Sequence, residues 1–227
     1  MFNKFTTAGI SHPAQGSAEF DGSSDYIQLN TPFSYTNHTI AAWVYLKPSG
    51  LDKFVIDSRD AGSDGLILYF AADEKAKYAV NSATLTSSNV IGESWYYIVG
   101  TYDGTTQKLY IDGSLDASQA TSQTINTTTD ALIGARSHTS PAYYMNGNLA
   151  NVAIWNRALS SDEINAVMWK GYQSLTDNEK SGLQAWYSLD DISIPAASLA
   201  TMEALAVDKD ATIENKAAIT AAINALS

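Results

Sequence analysis

The sequence predicts an all-β protein, an antiparallel sandwich or barrel followed by a helical tail. Three observations carry this. Between residue 17 and about residue 158, short runs rich in Val, Ile, Thr, Tyr and Trp alternate with Gly, Asp, Ser and Asn, as pleated surfaces and their turns require. The pairs Asp103-Gly104 and Asp112-Gly113 supply the positive φ of tight hairpins, and they mark 95–102, 107–111 and 115–117 as a three-strand meander. Many short strands with regular turns, without long helical patterns between them, exclude a parallel sheet.

Composition sets the outer bounds. The 227 residues carry 13 basic and 24 acidic side chains, a formal charge of −11, and 45% of them are hydrophobic, which is globular and not disordered composition. With a pI near 4.5 the surface repels nucleic-acid phosphates and anionic membrane surfaces, so neither is expected as a partner. The absence of cysteine excludes disulfides, thiolate metal sites and cysteine nucleophiles. No apolar run approaches the roughly 18–20 residues of a membrane helix.

In chain order, residues 1–16 form an N-terminal arm with no continuous apolar stretch, so they are not a secretory signal; Met1 followed by Phe2 reads as a native start, and a signal already trimmed is the alternative. Strands are expected at 17–21, 25–29, 39–46, 53–57, 65–70, 77–80, 95–102, 107–111, 131–135 and 149–155. Ser160, with Glu163 three residues on, opens a short surface helix with Ile164, Val167 and Met168 as its apolar stripe, and Gly171 stands where a left-handed C-terminal residue belongs. Glycines end at Gly182 and aromatics at Tyr187, and 11 alanines crowd into residues 196–227. Helices are expected over about 197–206 and 213–226. Ile213, Ile219, Ile223 and Leu226 would be the docking face of this 191–227 tail, because short Ala-rich helices are marginal alone.

Several strings, taken together and in order, resemble the laminin G-like domains of the concanavalin A-like lectin/glucanase superfamily. They are Phe20-Asp-Gly-Ser-Ser-Asp-Tyr-Ile27, Thr39-Ile-Ala-Ala-Trp-Val-Tyr45, Trp95-Tyr-Tyr-Ile-Val-Gly-Thr-Tyr-Asp-Gly104, Leu109-Tyr-Ile-Asp-Gly113, Leu132-Ile-Gly134 and Gly147-Asn-Leu-Ala-Asn-Val-Ala-Ile-Trp-Asn-Arg-Ala-Leu-Ser160. The resemblance implies a two-sheet jelly-roll sandwich over 17–190, serving adhesion, sugar binding or assembly, with catalysis exceptional. It departs from the family in two places. Ala150-Asn151 stands where members often carry an Asp-Asp pair, which weakens an inherited structural calcium site. Asp21, Asp25 and Asn151 remain the candidate ligands, with turn-capping as the alternative role of the aspartates. The opening strand usual in the family has no match near the N-terminus, yet Gly182-Leu-Gln-Ala-Trp-Tyr-Ser-Leu-Asp190 fits it, so 183–189 is expected to cover a sheet edge in cis or in a neighbouring subunit.

Candidate chemistry is sparse. His12, His38 and His138 are isolated among Ser, Asn, Thr and Pro and read as exposed loop side chains. No strand carries the paired carboxylates of a glycosidase: Glu74, Glu93, Glu163 and Glu179 fall in turns or helices and Glu19 is alone, so no enzyme and no cofactor are expected. Trp43, Trp95 and Trp155 read as core, and Trp169 as an anchor of the short helix. The loop from Arg136 to Asn146 is the candidate ligand site through Arg136, His138, Tyr143 and Tyr144, one tyrosine packing inward and the other free to stack on a sugar or partner. Two functions follow from these residues. The first is a non-catalytic phage virion component, a head-decoration or tail-associated subunit, docking on other virion proteins or on itself as a homo-oligomer. The alternative is an extracellular carbohydrate-binding module of a bacterial adhesin, binding surface glycans. The step to a virion rests on association, because fold does not fix function.

Overall fold

The computed structural model describes residues 16–29, 31–60, 64–136 and 141–189. In chain order these form β1 (Ala18–Asp21), β2 (Ile27–Gln28), β3 (His38–Leu46), β4 (Lys53–Asp57), β5 (Leu66–Phe70), β6 (Lys75–Val80), β7 (Ala83–Val90), β8 (Trp95–Tyr102), β9 (Thr106–Ile111), β10 (Ser114–Ala120), β11 (Leu132–Ile133), β12 (Asn146–Trp155), α1 (Ser161–Val167), α2 (Asp177–Lys180) and β13 (Leu183–Tyr187). The predicted tail helices, with Ile213, Ile219, Ile223 and Leu226, lie outside the described residues, as does His138.

Two antiparallel sheets face each other. The larger runs β1-β12-β3-β8-β9-β10, with β13 also on β12; the smaller runs β2-β11-β4-β5-β6-β7. Alternation drives the pairing. Ile40, Ala42, Val44 and Leu46 of β3 point inward against Leu66, Leu68, Phe70, Tyr78 and Val80 of the smaller sheet, and all are fully buried. Gly100 of β8 lies under the Tyr78 ring, in space that any side chain would occupy. The meander forms as expected. Asp112 and Gly113 both have positive φ and make the two-residue turn between β9 and β10. At the other hairpin only Gly104 is left-handed, and Asp103 caps a longer loop through the backbone N–H groups of Thr105 and Thr106.

The strand at Leu183–Tyr187 pairs in cis. It occupies the edge of β12 from Val152 to Trp155, while β1 occupies the same edge from Asn146 to Leu149, so two short strands complete one edge. Three local expectations differ from the structure. The polar strand β7 was not expected: with Thr84, Thr86, Ser88 and Asn89 exposed on a sheet edge, it lacks a hydrophobic alternation to read. Gly171 is not a left-handed helix end but opens a short 3₁₀ turn, Tyr172–Ser174, with φ of −84°. His38 is not an exposed loop residue. It begins β3 opposite Tyr102, faces the interior and is wholly buried.

Candidate functional site

The outward face of the smaller sheet is built by three adjacent strands. A bulge in β4 turns both Val55 and Ile56 into the core and leaves Phe54 and Asp57 facing out. Register then aligns two outward rows, Phe54 with Tyr69 and Lys77, and Asp57 with Ile67 and Ala79. Phe54 and Tyr69 stack at 5.0 Å with their planes 17° apart. The loop before β12 brings Tyr143 to 6.1 Å from Phe54, and the Tyr143 carbonyl accepts the Phe54 N–H at 3.3 Å. The result is a row of three rings that grades from buried to open: Phe54 is buried with Ile67 and Ala79, Tyr69 is half-buried, and Tyr143 is 47% exposed.

Each ring carries a cation. The Arg59 guanidinium lies 5.9 Å from the Phe54 centroid, Lys77 Nζ 6.0 Å from Tyr69, and the Arg136 guanidinium 5.4 Å from Tyr143. Arg59 is fixed by the fully buried Asp57, whose Oδ1 accepts from the Arg59 backbone N–H at 2.8 Å and from its Nε at 3.4 Å. Arg136 is held by its backbone N–H on the Ala142 carbonyl, and its Nε is buried without a hydrogen-bond partner among the described residues. Burial, helped by Asp52 and Asp73, raises the Tyr69 phenol above its ordinary range, so it remains a neutral donor and acceptor.

Of the predicted loop residues, the structure therefore brings Arg136 and Tyr143 together. Tyr144 is turned away: its hydroxyl donates to the Pro141 carbonyl and its ring lies 6.4 Å from Tyr26. The expectation that one tyrosine packs inward fails because Tyr143 adopts a left-handed φ of 53°, and it is Met145 that enters the core. Phe54, Tyr69, Arg59 and Lys77 were not expected at a site. Their strands read as core alternation, and the one sequence signal was a cation at Arg59 and Lys77 beside β-rich runs.

Of the candidate metal ligands, Asp21 and Asp25 lie together and Asn151 lies apart from them. Asp21 accepts from the backbone N–H groups of Ser23, Ser24 and Asp25 and from both serine hydroxyls. Partial burial opposes its ionisation, but these bonds outweigh it and hold the carboxyl well below the usual range. Asp25 is buried, and that burial raises its pKa, while its Oδ2 accepts the Asp21 N–H. Asp21 pairs with Asn146, five positions from Asn151 and so about 16 Å along β12. Asn151 sits in a bulge with φ of 47°, its N–H on Ser188 and its Nδ2 on the Lys170 carbonyl. Among the described residues no group of three or more His, Cys, Asp or Glu could hold a metal ion.

With two antiparallel sheets and their order established, the comparison of families decides the assignment. Residues 21–165 match the laminin G family described as the concanavalin A-like lectin/glucanases superfamily. The chain belongs to that superfamily. Among solved structures, this superfamily member is similar to a Bacteroides ovatus protein provisionally described as carbohydrate binding, at 17% identity and a TM-score of 0.64 over 80% of this chain and 53% of that one. The chain thus spans about half the length of that protein. It is also similar to the CBM40 of a Ruminococcus gnavus sialidase bound to α2,3-sialyllactose, at 15% identity and a TM-score of 0.54 over 68% of this chain and 99% of that one. A third likeness is to the heptameric SAP-like pentraxin of Limulus polyphemus, at 13% identity and a TM-score of 0.54 over 70% of this chain and 84% of that one. At these identities the likeness is one of fold. No curated protein matches the sequence.

Proposed function

We propose that this protein is a non-catalytic, lectin-like glycan-binding module that takes sugar rings on the outward face of its smaller sheet. The observation that carries the reading is the row Tyr143, Phe54 and Tyr69, with the Tyr143 ring half-exposed and a cation beside each ring. The C–H faces of a pyranose pack on aromatic rings, and the surrounding Arg and Lys donors meet its hydroxyls; apolar walls with few polar groups are what small-molecule sites use. Similarity in fold to a CBM40 and to a protein described as carbohydrate binding supports the same reading. Binding and not turnover is favoured because four of the five glutamates among the described residues are held in ion pairs. Glu19 pairs with Lys47, Glu74 with Lys53, Glu163 with Arg157 and Glu179 with Lys170.

Such a module would work outside the cell, where glycans are. No helix among the described residues is long and apolar enough to cross a membrane. The virion-assembly role argued from the tail rests on residues outside those described, and no comparison supports it. A glycan array followed by calorimetry tests the proposal. Tyr143→Ala should weaken the best glycan by about tenfold or more, the loss of one good stacking contact, without changing the unfolding midpoint. Unchanged affinity in Tyr143→Ala, or an array without any hit, overturns it.

A further inference from the structure

Not all three cations on this face are equally engaged. Arg59 is matched by the buried carboxylate of Asp57. Lys77 stands over Tyr69, whose ring also feels Asp52 and Asp73; these two carboxylates cap the backbone N–H groups of Ala72 and Lys75. Arg136 differs. It makes no ion pair among the described residues, its Nε lacks a hydrogen-bond partner, and its guanidinium is parked over the half-exposed Tyr143 ring. A guanidinium has five donors in a fixed fork; here the Nε–H is buried without a partner among the described residues, and the terminal N–H groups are left for a ligand. On a chain of formal charge −11, this is a local reversal of sign.

We infer that the site prefers a glycan bearing a carboxylate, stacked on the exposed Tyr143 ring with its anionic group turned to Arg136. This rests on the glycan-binding reading above and goes further by naming the ligand class. A neutral sugar can satisfy only neutral hydrogen bonds at Arg136; a carboxylate accepts charge-assisted and bidentate ones, roughly twice as strong. The overall negative charge slows the approach of an anion, so the preference is a contact effect and not one of long-range steering. Uronates and sialates share the required carboxylate, and the probes separate them.

Calorimetry on the full chain would compare trigalacturonate with its methyl ester, and 3′-sialyllactose with lactose. At least one acid should bind about tenfold or more tightly than its neutral counterpart. The preference should fall toward unity in Arg136→Gln, with the unfolding midpoint retained, and Arg136→Lys should restore part of it. The ester comparison uses the unaltered protein, so it stands even if a variant misfolds. Neutral probes bound as tightly as the acids, with Tyr143→Ala still abolishing binding, overturn the carboxylate preference and leave the platform intact. An acid preference that survives Arg136→Gln also overturns it. If neither these probes nor an array yields binding, the platform and the preference fall together.

Discussion

The two outward faces of this sandwich carry similar rings and use them differently. On the larger sheet, Trp43, Tyr97, Trp155 and Trp186 point away from the main core, yet they form a second core with Ile164, Val167 and Met168 from the α1 region and with Leu175. Small residues on the strands, Ala41, Ala150 and Ala153, let this cover approach closely. The indoles are tied to it: Trp43 Nε1 donates to the Met168 carbonyl at 2.9 Å and Trp155 Nε1 to that of Glu179 at 2.8 Å. On the smaller sheet, Phe54, Tyr69 and Tyr143 are flanked by Arg59, Lys77 and Arg136 instead. An aromatic on the outside of a pleat becomes core or platform according to what the chain lays over it.

The largest expected effect tests the covered face. Trp43→Ala removes a wholly buried ring and strands the Met168 carbonyl, so it should cost about 3–5 kcal/mol in urea unfolding. Tyr143→Ala on the open face should stay within about 0.5 kcal/mol, because its ring is half in water. A loss below about 1 kcal/mol for Trp43→Ala would break the comparison, since the helical cover would then not be a core.

This contrast explains what could be read from sequence. The alternation in 39–46, 95–102 and 149–155, the Asp112-Gly113 turn and the Ser160 capping box are local signals, and each produced its element. The Ser160 hydroxyl accepts the Glu163 N–H, and the Glu163 carboxylate accepts the Ser160 N–H, as the spacing implies. Which outward rings gather beside cations is not local. Phe54 and Tyr69 belong to strands whose outward residues are almost as apolar as their inward ones, and only the placement of Arg136 and Tyr143 beside them turns them into a site. Arg136 and Tyr143 were legible because the sequence sets them in a tyrosine-bearing loop between two β-rich runs. The burial of His38 was hidden by its polar neighbours Asn37 and Thr39 and emerged from register alone.

The interior shared by both faces gives the next effect. The His38 Nδ1 lies 2.9 Å from the Tyr35 carbonyl, which can only accept, so Nδ1 carries the proton and Nε2 accepts the Tyr78 hydroxyl at 2.6 Å. Burial pulls its pKa down to about 4. The unfolded chain gains this proton near pH 6.5 and the folded one only near 4. Stability is therefore full above about pH 6.5 and falls by roughly 3 kcal/mol as pH drops to about 4, then levels for this group. Asp21, held well below the usual carboxylate range, loses its own contribution only at lower pH. Chemical unfolding at stepped pH should show the fall in wild type and a flatter profile in His38→Gln. Identical slopes in the two would place the acid sensitivity elsewhere, outside the seam between the sheets.

The smallest effect discriminates most sharply between the two faces. Trp169 follows α1, packs its ring at 51° to that of Trp43 with centroids 4.9 Å apart, and is 47% exposed, the same exposure as Tyr143. Exposure alone therefore does not choose a binding face. What separates the two rings is their company. Trp169 rests on a ring already hydrogen-bonded into the helical cover, beside a lysine, Lys170, that is bound to Glu179 at 2.6 Å, whereas Tyr143 lies in a row of rings beside an Arg136 without an ion pair among the described residues. Trp169→Ala should cost about 1 kcal/mol, the worth of one aromatic pair, and leave glycan affinity unchanged. If Trp169→Ala abolished binding and Tyr143→Ala did not, the functional face would be the helix-covered one, and the cations of the smaller sheet would be ornaments of solubility.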